Sequence, residues 1–144
     1  MRLKNNTNLD TATIRKLIAF AKPPGISGFD VRIANSVRHG DYRGVAYPRG
    51  HGYHDRSCPF IVVSVGRDDR HRGRAAHGGY LDAPPMTRVE VVLWVLAHEM
   101  RHLWQARVRR GRRVWGSRGQ FSERDADAYA LRALRHWRRG EPMP

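Results

Sequence analysis

The chain has 144 residues, which suits one domain with a moderate core and leaves little for a second lobe. It carries 27 basic and 13 acidic residues, a formal net charge of +14. That excess favours nucleic acid, an acidic protein or an anionic surface without choosing among them, and its arginine bias also follows from a GC-rich genome with no function implied.

The first residues, MRLKNNTNLD, read as a polar lead-in and lack the apolar core of a signal peptide. No stretch reaches the ~18 apolar residues of a membrane span. A soluble cytoplasmic protein with no membrane partner is the default expectation. Asp10 or Thr11 caps a short helix whose Ile14, Leu17, Ile18 and Ala21 recur at three and four, so one face packs on a core. Pro23, Pro24 and Gly25 stop it.

Residues 29–37 alternate in part and predict a strand that Gly40 breaks, with residues 42–47 as a partner strand. A Gly-rich turn over 48–57 holds His51 and His54, which read as solvated because no third ligand or ordered frame accompanies them. The lone Cys58 excludes an intrachain disulfide and reads as an inert buried thiol at a strand start. Residues 60–65, FIVVSV, are the clearest strand. Residues 67–79 are a charged loop, after which Tyr80 and Leu81 begin a short strand leading to Pro84 and Pro85.

The chain is organised around residues 89–105, VEVVLWVLAHEMRHLWQ. Thr87 and Glu90 form a capping box before a run that is apolar nearly all round, predicting a core helix over 88–108. This helix carries His98-Glu99-x-x-His102. Residues four apart share a helix face, so both imidazoles can reach one metal ion. Glu99 lies at the margin of that face and can take a proton from a metal-bound water without being a ligand. Zinc hydrolysis needs this division of labour. A helix this apolar would carry the motif at a desolvation cost that a metal offsets. In the plainer reading, His98 and His102 are ordinary helix residues and Glu123 is a solvated carboxylate.

Residues 107–118 hold six arginines and no acid. Arg107, Arg109, Arg110, Arg112 and Arg113 with Trp115 can grip a phosphate backbone and stack a base. The same segment also reads as a basic connector that Trp115 anchors to the core. A last helix is predicted over 123–137, with Ser122 as N-cap and Ala126, Tyr129, Ala130, Ala133, Leu134 and Trp137 inward. Arg132, Arg135, Arg138 and Arg139 form its wet side, and Gly140 and Pro142 end it. Ala126 and Ala130 permit close approach to the first long helix. Glu123 and Asp127, four apart, share one face and can supply a third ligand.

His98-Glu99-x-x-His102 with downstream Glu123-x-x-Ala126-Asp127 resembles the gluzincin zinc metallopeptidases, over residues 87–138. The resemblance implies that His98, His102 and Glu123 bind Zn²⁺, that Glu99 is the general base, and that Asp127 supports a ligand histidine from behind. Arg101 stands where that pattern prefers an uncharged residue, and the chain is shorter than most such enzymes. The SprT-like proteases, some of them DNA-directed, also carry HExxH, but their third ligand is a histidine shortly downstream. Here no histidine lies between His102 and His136.

The implied fold is α+β and zincin-like, one domain over 1–144. A small, mostly antiparallel sheet would pack on the HExxH helix, and a C-terminal helix would carry the third ligand. The implied activity is hydrolysis of peptide bonds in a protein or peptide substrate. Strand 60–65 or a neighbour would pair with extended substrate, and Tyr80, His77 or His136 would steady the oxyanion. Two rivals stand beside this reading: a nucleic-acid-associated protein using the arginine-rich surface, and a non-catalytic regulator that keeps the fold.

Overall fold

The computed structural model describes residues 1–35, 42–47, 58–66, 83–108 and 120–144, without the side chains of 120–122. Its elements are β1 (Leu3–Asn6), α1 (Thr11–Ala21), β2 (Asp30–Asn35), β3 (Arg43–Tyr47), β4 (Phe60–Val65), α2 (Arg88–Val108) and α3 (Gln120–Arg139). The charged loop over 67–79, the turn with His51 and His54, and the strand expected at Tyr80 and Leu81 lie outside the described residues.

Helix α1 starts where its cap dictates: the Asp10 carboxylate accepts from the Thr13 backbone N–H at 2.9 Å. Its buried residues are the four expected, Ile14, Leu17, Ile18 and Ala21. It packs against α2. The Tyr129 hydroxyl of α3 donates to the carbonyl of Ala21 at 2.7 Å, satisfying an acceptor that the end of α1 leaves open.

The sheet has the order β1-β2-β4-β3. β1 pairs with β2, and β2 with β4, both parallel; only β3 with β4 is antiparallel. The expectation of a mostly antiparallel sheet is therefore corrected. The physical reason lies in the connections: α1 crosses between β1 and β2, and a helical crossover is what lets consecutive strands run parallel. The polar lead-in is corrected too, since Leu3–Asn6 is an edge strand. It has one apolar residue and is held through its backbone, extended by the Arg2 N–H donating to Asp30 Oδ1 at 2.8 Å. On the sheet face toward the helices, Val31 and Ile33 sit beside Ile61 and Val63, all buried. Cys58 is half-buried, with its thiol 3.5 Å from Asp30 Oδ2.

Helix α2 spans Arg88–Val108, the predicted bounds. Its capping box closes both ways: the Thr87 N–H donates to Glu90 Oε1 at 2.9 Å and the Glu90 N–H to Thr87 Oγ1 at 3.2 Å. Arg88 is buried at this end and donates to the Gly66 carbonyl and to Asn35 Oδ1, tying the helix to the C-terminal ends of β4 and β2. α2 lies against β3 and β4, and α3 packs along α2 more extensively than any other element. Ala126, Ala130 and Ala133 are fully buried, which permits that approach. Arg138 returns from the end of α3 to ion-pair with Glu90. Gly140, at φ 67°, ends α3, with the Glu141 N–H donating to the His136 carbonyl at 3.0 Å. No helix among the described residues is long and apolar enough to cross a membrane.

Candidate metal centre

Four residues apart on α2, His98 and His102 turn their imidazoles to one point, with their Nε2 atoms 3.0 Å apart. Glu123, in the first turn of α3, closes the triangle. Its Oε2 lies 3.2 Å from His98 Nε2 and its Oε1 3.1 Å from His102 Nε2. The three residues form a group whose ligand atoms all lie within 4.8 Å of one another. Both histidines are buried and Glu123 is half-buried.

The groups behind the imidazoles fix which nitrogen faces inward. His98 Nδ1 lies 2.9 Å from Asp127 Oδ1, and His102 Nδ1 lies 2.9 Å from Gln105 Oε1. A carboxylate and an amide oxygen only accept, so each Nδ1 carries the hydrogen. Each neutral ring then presents its Nε2 lone pair to the centre. Two lone pairs 3.0 Å apart repel each other, and Glu123 Oε2 is buried there with no hydrogen-bond partner. A cation at the centre resolves both. A tetrahedral ion with bonds of about 2.0–2.1 Å spaces its ligands about 3.3 Å apart, close to this triangle, and three ligands leave a fourth apex open. The donor set fits a zinc-type ion.

The electrostatics of the protein alone point the same way. Burial pushes the His98 imidazole down, but the carboxylates of Asp127, Glu123 and Glu99 outweigh it and hold the group well above its ordinary value. Burial pushes Glu123 up, and the His102 and His98 imidazoles beside it more than reverse this, holding its carboxyl well below the usual range. Without a cation, protons bind this cluster in the place a metal would take.

Glu99 is buried against β3. Desolvation raises its carboxyl above the ordinary value, and the Ala46 backbone is among the groups that oppose the rise. The strand comes this close because residue 44 is glycine. A Cβ on Gly44 would sit 2.6 Å from Glu99 Cγ and 2.7 Å from Glu99 Oε1. Gly44, Gln105 and Asp125 are the site residues that sequence reasoning missed. Only the i, i+3 spacing of His102 and Gln105 signalled any of them.

The structure brings together His98, Glu99, His102, Glu123 and Asp127. His136 is placed elsewhere: thirteen residues beyond Glu123, it lies about 20 Å further along the α3 axis. It faces Glu141 at 3.5 Å, so it is withdrawn as an oxyanion partner. Tyr80 and His77 lie outside the described residues, as do Arg109, Arg110, Arg112, Arg113 and Trp115. Arg107 is exposed near the end of α2. No protein-family model, curated protein or solved structure matches the chain at a significant level.

Proposed function

We propose that the protein is a zinc-dependent peptidase. The observation that carries this reading is the pair of inward Nε2 atoms 3.0 Å apart, with both Nδ1 atoms committed to acceptors and Glu123 closing the triangle. His98, His102 and Glu123 would hold the ion. When bound, zinc supplies a Lewis acid and a water acidified toward neutrality.

The remaining chemistry belongs to the chain. Glu99 accepts the proton of the attacking water and delivers it to the leaving amine. Its raised affinity for a proton suits the first transfer, because a carboxylate at its ordinary value would take the proton less readily. Asp127 holds His98 in the tautomer that donates toward the carboxylate. Among the described residues β3 is the sheet edge beside Glu99, while β4 is paired on both sides. β3 is therefore the strand beside which an extended peptide would lie.

The test is metal content and peptide hydrolysis side by side. Wild type should hold about one zinc per chain, by the three-ligand geometry. His98→Ala and Glu123→Ala should lose it, and Glu99→Gln should keep it while hydrolysis of a protein substrate disappears. Turnover that survives Glu99→Gln would remove that residue from the mechanism. A wild type without zinc under metal-replete conditions would end the enzyme reading.

A further inference from the structure

Behind His102 stands a chain of polar contacts that reaches from one helix to the other. Gln105 Oε1 lies 2.9 Å from His102 Nδ1, and Gln105 Nε2 donates to Asp125 Oδ2 at 2.8 Å. Asp125 takes both arms of Arg101: Nε donates to Oδ2 at 2.6 Å and the terminal Nη2 to Oδ1 at 3.0 Å. The Arg101 guanidinium lies 3.8 Å over the Trp104 ring and 5.2 Å from the Tyr129 ring. Arg101 is the residue that departs from the usual motif.

We infer that Gln105, Asp125 and Arg101 are positioning residues for the metal centre, orienting His102 as Asp127 orients His98. The inference rests on the metal reading above. An amide beside an imidazole can present either its oxygen or its NH₂ group, and the NH₂ would force His102 into the wrong tautomer. Asp125 removes that freedom, because it only accepts and so claims the NH₂ side of Gln105. Arg101 in turn fixes Asp125 bidentately and itself lies over the Trp104 ring. The chain thus transmits one instruction, that Nδ1 of His102 bears the hydrogen and Nε2 faces the ion. Asp125 lies two residues after Glu123, so the same contacts set where α3 brings its ligand.

The experiment is a chelator-competition titration of zinc on purified full chains, with the cobalt-substituted absorption spectrum and urea stability of the metal-free form measured in parallel. Gln105→Leu and Asp125→Ala should each weaken zinc about ten- to a hundred-fold and shift the cobalt bands. The double variant Gln105→Glu with Asp125→Asn reverses donor and acceptor between the two side chains while keeping the acceptor on His102, and should recover most of the lost affinity. Wild-type affinity and an unchanged cobalt spectrum in Gln105→Leu would overturn the inference and leave the metal centre standing. So would no recovery in a double variant whose metal-free form is as stable as wild type. Absence of zinc from wild type would overturn the metal centre and this inference together. Should Gln105→Leu fail to fold, Asp125→Asn alone, which offers an NH₂ group to Gln105, decides the question by the same titration.

Discussion

Residues 91–97 of α2 are buried and apolar, whereas residues 98–105 are buried almost as deeply but include His98, Glu99, His102 and Gln105. In the first half burial is the source of stability, worth about 1.5–3 kcal/mol for each large side chain. In the second half burial is a cost, and every polar group there depends on something outside α2 or on a neighbour one turn away. Asp127 and Asp125 of α3 meet part of that need, and Glu123 leaves a centre that a cation would complete. The contrast teaches that burial along one helix can have either sign, decided by what the partner helix presents.

The contrast can be broken most severely at Leu96, which is fully buried in the apolar half. Leu96→Ala should cost about 2–5 kcal/mol, measured by urea denaturation, and the loss should be the same in chelator and in excess zinc. A loss that depended on zinc would show that the halves are not separate. The polar half should respond the other way. Free zinc at a hundred times its dissociation constant should stabilise wild type by about 2.7 kcal/mol. It should do nothing for His98→Ala; an equal gain in that variant would place the metal elsewhere.

A pH series sharpens the comparison further. His98 binds its proton more tightly in the folded protein, so its contribution is full below its ordinary value of 6.5 and is lost as pH rises toward about 10. Glu123 is depressed, so its contribution is full above 4.5 and is lost as pH falls. The metal-free protein should therefore be most stable between these two values. Zinc affinity should rise over the alkaline range in which metal-free stability declines, because the ion displaces the His98 proton. Parallel urea and chelator titrations at several pH values read both trends, and a zinc affinity flat with pH would contradict them. The smallest effect is expected at the start of α2. Thr87→Ala removes the hydroxyl that accepts from Glu90 N–H and should cost about 1 kcal/mol while leaving zinc affinity unchanged.

Much of this was legible in the chain where the signal is local. The capping box defines the start of α2 to the residue, and the 3.6-residue spacing of Ile14, Leu17, Ile18 and Ala21 defines the inner face of α1. Helix α3 begins three residues before its expected start and ends two after it, because ends fray in any local reading. What failed was non-local. Leu3–Asn6 carries no strand pattern and exists as β1 because β2 offers it a parallel edge. Strand direction follows from where α1 crosses, which no strand's own residues record. At the site, the spacing of His98, His102, Glu123 and Asp127 was readable because each pair sits one turn apart. Asp125 was not, since its role appears only when α3 lies beside Arg101 and Gln105.

Gly44 gives the site a test that can be applied to other chains by eye. The position admits hydrogen and nothing larger without moving Glu99 or Val95, whose Cγ1 also lies 2.6 Å from where a methyl would be. A related sequence could keep both histidines and all three carboxylates, lose only this glycine, and still look intact to any motif scan. Such a chain would be a decoy: complete in its lettering, with its Glu99 crowded out of place by a single carbon on a strand some fifty residues upstream.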